Sequence, residues 1–200
     1  MLRYLREGDL SEASIKHVDM SVLSQVKAHL TYLLLPIPEP LAARFPSLKL
    51  ASASESAAFF NSNTGRLSSR VGHGNAVFME VPKPFVLTSF AVRIISWPLY
   101  AVGLTYYLAN GRTEMLILQF DGKVTLKSGG NKELHDYKIY TAEGGEVRVR
   151  FDPKTREVRF AINEHEYGVA YTLPRVFYDM QAVFCLGQTS VLELETTFAY

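Results

Sequence analysis

Two regimes of hydrophobic spacing divide the chain. Near the start, Ile15, Val18, Val22, Val26, Leu30 and Leu33 recur at steps of three and four, which makes one apolar stripe of an α-helix. The spacing predicts a helix over residues 9–35, with Asp9 and Glu12 as a capping box. Asp19, ahead of Met20-Ser21-Val22, offers a second starting point. Pro36-Ile37-Pro38-Glu39-Pro40 ends the helix, because proline lacks the backbone donor and restricts the residue before it. The stripe is expected to pack on the domain that follows, with self-association or docking of a partner as the other uses.

Beyond Pro40 the period changes to two. Short runs rich in Val, Phe, Tyr, Leu and Ile alternate with clusters of Gly, Asn, Ser and Pro. Strands are predicted at 76–81, 85–95, 100–108, 115–120, 123–127, 146–151, 158–162, 168–171, 180–186 and 190–197. About ten short strands with no helix between them describe an all-β, antiparallel two-sheet sandwich. Asp121-Gly122 reads as a two-residue hairpin turn. Ser52–Ser56 reads as a loop and 127–138 as the longest polar connector. The chain thus divides into a helical segment with its proline-rich connector, residues 1–40, and a sandwich domain, 41–200.

One hairpin is especially clear. In Val147-Arg148-Val149-Arg150-Phe151 and Val158-Arg159-Phe160-Ala161-Ile162, the alternation puts Val147, Val149, Phe151, Val158, Phe160 and Ile162 on the core face. Arg148, Arg150 and Arg159 share the outer face. The strands are joined by Asp152-Pro153-Lys154-Thr155-Arg156, in which proline pre-sets φ. A second polar turn follows, Asn163-Glu164-His165-Glu166.

Composition narrows the function. The 200 residues are 48% hydrophobic, with 12 Phe and 11 Tyr, enough to bury one large core. The net charge of +1 creates no global field for nucleic acid or an anionic membrane. No apolar run reaches the length of a membrane span. The single cysteine, Cys185, lies in the apolar run Ala182–Leu186 and reads as a small hydrophobe in a strand. One cysteine permits no disulfide within the chain, and the N-terminus has no signal-peptide pattern. An intracellular setting is expected, cytoplasmic or nuclear. Organelle import stays open should residue 1 not be the native start.

Catalytic constellations are not recognised. Glu164, His165 and Glu166 on a hairpin tip make a poor metal set, with His17, His29, His73 and His135 scattered elsewhere. Glu193 and Glu195 share one strand face, read as the polar face of an edge strand. They would be the candidates if the sandwich were a carbohydrate-binding or glycoside-cleaving jelly roll. No nucleophile elbow, phosphate loop or dinucleotide fingerprint is present. The expectation is a non-enzyme with no cofactor and no metal.

The hairpin region resembles a SPRY domain. The residues that carry the resemblance are Phe151-Asp152, Val158-Arg159-Phe160, Asn163, Gly168-Val169-Ala170-Tyr171 and Leu173-Pro174, then Val176-Phe177-Tyr178 and Ala182–Gly187. Phe90–Ile94 and Val102-Gly103-Leu104 resemble two earlier strands of that family. The resemblance covers residues 49–198 and is most specific in the C-terminal third. The chain departs from the family at Glu164, where glycine is usual, at Asp179, where proline is frequent, and in lacking a tryptophan in its middle strands. Glu164 implies a turn longer or differently shaped than the family norm. The resemblance implies a concanavalin-like sandwich with the N-terminal helical residues alongside. It also implies a non-catalytic module that binds a protein or peptide through loops at one end, as an adaptor or a subunit of a larger complex.

Six residues are candidates for partner contact. Trp97 and Tyr100 flank a proline in a connector and suit an aromatic hot spot. Tyr107 and Arg112 border Asn110-Gly111, a tight-turn dipeptide. His135 and Tyr137 lie in the polar connector. The outer arginines suggest a third use, contact with an acidic peptide or RNA phosphates, against ordinary pairing with acids on neighbouring strands. The oligomeric state is left open.

Overall fold

The computed structural model describes residues 18–32, 47–62, 64–70, 75–83, 85–137 and 142–199. The chain divides into two compact units, residues 1–46 and 47–200. In the first, helix α1 spans Met20–Tyr32. The Leu23 N–H donates to the Asp19 carbonyl at 3.1 Å, which puts Asp19 at the N-cap. Val18 and Asp19 are not helical, so the helix expected over 9–35 does not run through these two positions. Aspartate favours caps over helix interiors, and here that preference wins over the apolar spacing. Of the expected stripe, Val26 and Leu30 are buried and Val22 is half-buried, while Leu23, outside the stripe, is buried as well. Asp9, Glu12, Ile15, Leu33 and the Pro36–Pro40 run lie outside the described residues.

The second unit contains fourteen strands among its described residues: β1 Lys49–Leu50, β2 Ala58–Asn61, β3 Arg66–Ser69, β4 Asn75–Glu80, β5 Val86–Ser96, β6 Leu99–Leu108, β7 Thr113–Gln119, β8 Lys123–Lys127, β9 Asn131–Asp136, β10 Glu146–Phe151, β11 Glu157–Ile162, β12 His165–Thr172, β13 Phe177–Leu186 and β14 Val191–Ala199. They form two seven-stranded sheets. Sheet A has the order β1-β4-β13-β6-β7-β8-β9, and sheet B the order β12-β11-β10-β5-β14-β3-β2. Every pairing is antiparallel.

The alternation read in the β10–β11 hairpin is realised. Val147, Val149, Phe151, Val158, Phe160 and Ile162 are all buried in the core between the sheets. Phe90 of β5 meets Phe184 of β13 edge to face, with centroids 5.6 Å apart, and so joins the two layers. Cys185 is half-buried beside a smaller apolar cluster of Ala101, Ile117 and Val183 on the other face of sheet A. Burial pushes its thiol pKa up, away from the reactive range.

Four strands escaped the sequence pattern. β1 is two residues long, and β2 and β3 are four each, too short to show a period. β9 is Asn-Lys-Glu-Leu-His-Asp, so the supposed polar connector over 127–138 contains the charged edge strand of sheet A. Charge on an exposed edge discourages pairing with another chain, and it also hides the strand from a hydrophobic reading. β14 is not an edge strand, because it lies between β5 and β3. Residues 52–54 form a single 3-10 turn.

Two hairpin turns share one construction. β6 and β7 are joined by Ala109-Asn110-Gly111, and β7 and β8 by Phe120-Asp121-Gly122. In each, the glycine N–H closes a β-turn, to Leu108 and to Gln119 respectively, at 3.0 Å. Each glycine then takes a positive φ, 77° and 86°. The Asn or Asp side chain accepts the N–H of the basic residue that follows, Arg112 at 3.0 Å and Lys123 at 3.2 Å. The Asp121-Gly122 turn is therefore a three-residue loop with a left-handed glycine, not the two-residue turn expected.

Candidate partner-binding surface

The register sorts the loops into two ends. Leu99 of β6 pairs with Leu186 of β13, and Leu108 pairs with Phe177. The β5–β6 turn, the β7–β8 turn, the chain leaving β9, the β11–β12 tip and the β13–β14 turn all fall at the Leu99 end. Trp97, Tyr100, His135 and Tyr137 are at that end. Tyr107 and Arg112 are at the other, seven residues further along β6, or about 23 Å at strand rise. The structure thus brings four of the six candidates to one end and leaves two apart. Tyr107 instead reaches Gln181 through its hydroxyl at 3.4 Å, near a cleft of about 410 Å³ lined by charged residues including Lys49, Glu80, Lys83 and Asp179. Tyr106, at the same end, is buried and donates to Glu114 Oε2 at 2.6 Å. Burial pushes its hydroxyl pKa up.

The Trp97 turn is held from below. The peptide Trp97-Pro98 is cis. The Gly187 N–H donates to the Pro98 carbonyl at 3.0 Å, and the buried Ser190 hydroxyl donates to the same oxygen. Thr189 Oγ1 donates to the Trp97 carbonyl at 3.2 Å. A Cβ at Gly187 would stand 2.3 Å from Pro98 Cγ, so only glycine permits this approach. The β13–β14 turn therefore fixes the backbone that presents Trp97.

Trp97 is half-buried against the edge of the core. Its ring meets Phe120 edge to face at 6.3 Å, and Tyr100 meets Phe120 likewise at 6.4 Å. Phe120, at the tip of the β7–β8 turn, is 39% exposed. Sequence reading missed it, although its place beside Asp121-Gly122 marks a large apolar residue on a turn.

A second aromatic group bridges the sheets. β9 and β12 are the edge strands on the same side of the sandwich. Tyr137 stacks on Tyr167 with centroids 3.9 Å apart and planes 12° apart. His135 lies nearly parallel to Tyr137 with centroids 5.9 Å apart, and His165 meets Tyr167 edge-on at 4.7 Å. His135 Nε2 lies 3.0 Å from the Ala170 carbonyl, which only accepts, so Nε2 carries the proton. Burial raises the Tyr137 hydroxyl pKa, and Tyr167 adds to it. The β12 register shifts opposite Phe160, where two residues, Tyr167 and Gly168, face one. Such a bulge re-aims side chains, here Tyr167 toward Tyr137. The two groups meet at the β7–β8 turn, where the Tyr137 N–H donates to Gly122 at 3.1 Å. The result is an aromatic belt from Trp97 through Phe120 to Tyr137 and Tyr167.

The turn at Asn163 is tighter than the departure from glycine implied. Ile162 pairs with His165, so only Asn163 and Glu164 lie between, at φ 48° and 69°. Two successive positive φ values make the two-residue turn that suits the strand twist. Glu164 accepts a left-handed backbone where glycine would do so freely, and its carboxylate stands exposed at the tip.

The outer arginines of sheet B face acids. Arg150 Nη1 reaches both Glu166 oxygens at 2.8 Å, Arg159 pairs with Glu157 at 2.9 Å, and Arg148 pairs with Glu146 at 3.0 Å. Arg66 reaches Glu193 at 3.5 Å. Glu195 is exposed on the same face. Among the described residues, no group of three or more His, Cys, Asp and Glu is placed to hold a metal ion. No described helix is long and apolar enough to cross a membrane.

No family model matches the sequence, and no curated protein matches it. Solved structures do. The SPRY domain of human HERC1 superposes with a TM-score of 0.51 at 12% identity, covering 74% of this chain and 98% of that one. The PSpry domain of TRIM65 gives 0.49 at 12% identity, over 75% and 92%. The NEUZ (NHR) domain of Neuralized from Drosophila melanogaster gives 0.48 at 15% identity, over 76% and 93%. The likeness to the HERC1 domain, at 12% identity, shows the fold alone, a divergent SPRY-like sandwich.

Proposed function

We propose that this divergent SPRY-like sandwich is a non-catalytic recognition module that seats a protein or peptide on the aromatic belt at its Trp97 end. The observation that carries the reading is the belt itself. Trp97, Phe120, Tyr137 and Tyr167 are partly exposed large rings gathered from four separate turns and strands onto one end of a rigid scaffold. Aromatic anchors on a preorganised surface dominate the energetics of protein recognition, because they bury large area with few rotors to freeze. The clamp of Gly187 and Ser190 on Pro98 supplies the preorganisation. We read the module as an adaptor or complex subunit in a reducing intracellular setting, consistent with its one half-buried cysteine.

The test is site-specific photo-crosslinking in cells. A photoreactive phenylalanine analogue is placed at Phe120 on the belt, or at Val176, which is 55% exposed at the opposite end. Capture of a discrete partner from position 120 and not from 176, abolished by Trp97→Ala, is the expected result. Equal capture from both positions, or capture from 176 alone, overturns the reading.

A further inference from the structure

We infer that the segment seated on the aromatic belt is cationic, a peptide presenting lysine or arginine side chains; this rests on the recognition reading above and specifies its partner. Ring faces accept either an apolar side chain or a cation, so the rings alone do not choose. The charges around them do. Asp121 sits in the β7–β8 turn beside Phe120, with its Oδ1 accepting the Lys123 N–H. Asp136 ends β9, one residue before Tyr137. Glu143 is exposed in the turn that enters β10, and that turn is pinned to β5 by the Gly144 N–H on the Ile94 carbonyl at 2.8 Å. Glu164 is exposed at the β11–β12 tip, one residue before His165.

Most of the described basic residues nearby are committed; the exception is Arg93 of β5, exposed on the outer face of sheet B at the register of Glu146. Lys123 lies 3.4 Å from Glu133, and that carboxylate first, then Asp121 and Asp136, raise its pKa, so one lysine faces three acids. Arg148 and Arg150 are held by Glu146 and Glu166 on the outer face of sheet B. Arg70 lies over Phe59, 5.5 Å from the ring centroid, at the opposite edge of the sheet. The described rim of the belt is therefore aromatic and acidic. A guanidinium or ammonium over a Tyr or Trp face is attracted by the ring quadrupole, and an adjacent carboxylate adds to the attraction. An acidic or phosphorylated segment meets like charge at the same place and is disfavoured. Glu164 fits this use: the chain keeps a carboxylate at a left-handed position where glycine would relax the backbone.

The test uses the full chain and short fluorescent peptide libraries of matched length. One fixes Arg or Lys at its centre, one Asp or Glu, and one only uncharged residues; cellohexaose and laminarihexaose serve as carbohydrate probes. Binding is read by polarisation, and its location by the emission of Trp97, the single tryptophan of the chain, and by amide shifts at Phe120, Tyr137 and Tyr167. The expected result is binding of the basic library on the belt. It should weaken about three- to tenfold in the double variant Glu143→Gln/Glu164→Gln and again on raising ionic strength, while Lys154→Gln at the opposite end leaves it unchanged. Acidic or uncharged peptides on the belt, or basic binding indifferent to the double variant, overturn the cationic partner and leave the recognition reading standing. An oligosaccharide on the belt, or basic peptides that shift only residues away from it, overturn both.

Discussion

Asn163 and Glu146 close on each other through two hydrogen bonds: the Asn163 N–H donates to the Glu146 carbonyl at 2.9 Å, and Asn163 Oδ1 accepts the Glu146 N–H at 2.9 Å. The side chain thus finishes a ladder that the backbone starts, and it ties the β11–β12 tip to the first residue of β10. Asn163→Ala removes the acceptor and puts a Cβ-bearing residue without a local hydrogen bond at φ 48°. We expect a loss of about 1–2 kcal/mol in stability. Asn163→Asp keeps the acceptor and should lose less. Chemical denaturation of the two variants checks the order, and equal stability of Asn163→Ala and wild type sinks it.

The neighbouring residue predicts a gain. Glu164 has φ 69°, a conformation that is strained for any residue with a Cβ. Glu164→Gly releases that strain and loses part of the gain to a more flexible unfolded chain. The net expectation is a stabilisation of about 0.5–1 kcal/mol, a rise in Tm of about 1–4 °C. If the cationic partner is right, the same variant binds the basic peptides more weakly. Calorimetry and peptide titration on one sample separate the two effects.

Gly187→Ala tests the clamp under Trp97. The new methyl meets the Pro98 ring, which has no flexible end to yield, so the two turns must part. We expect a loss of about 1–3 kcal/mol and a red-shifted Trp97 emission as the indole gains solvent. Unchanged emission with intact stability contradicts the clamp.

Asp152 gives a pH dependence with a defined sign. Its carboxylate accepts the Lys154 N–H at 2.7 Å and the Thr155 N–H at 3.3 Å, and these bonds hold its pKa below the usual aspartate value. A group whose folded pKa is depressed adds stability that is complete above its unfolded pKa, about 4 for aspartate. That contribution is lost as the pH falls through the folded value. The Tm difference between wild type and Asp152→Asn should therefore favour wild type at neutral pH and shrink below about pH 4. A difference independent of pH removes the charged form as the cause.

Much of the sandwich was legible because burial is periodic. Val147, Val149, Phe151, Val158, Phe160 and Ile162 announced their face through alternation alone, and each is buried. Elements without that alternation were hidden. β9 carries one aliphatic residue among charges, and as an exposed edge strand it needs no buried face. β1, β2 and β3 are too short for a period. Trp97, Tyr100, His135 and Tyr137 were singled out as aromatic or polar residues in connectors, yet Tyr107 and Arg112 looked equally good and stand at the other end of β6. Distance along a strand separates what proximity in sequence suggests belongs together.

The chain's own pattern determined the layers: which residues face inward, where turns fall, and that no catalytic motif is spelled out. The tertiary structure alone decided the belt. Tyr137 and Tyr167 are thirty residues apart and touch only because β9 and β12 end their sheets on the same side. Phe120 joins Trp97 only because the β7–β8 and β5–β6 turns share an end of the sandwich. Periodicity is a local property and can be read from the residues themselves. Adjacency of strand edges and of turns is set by how two whole sheets pack, and a linear pattern does not encode it in any one segment.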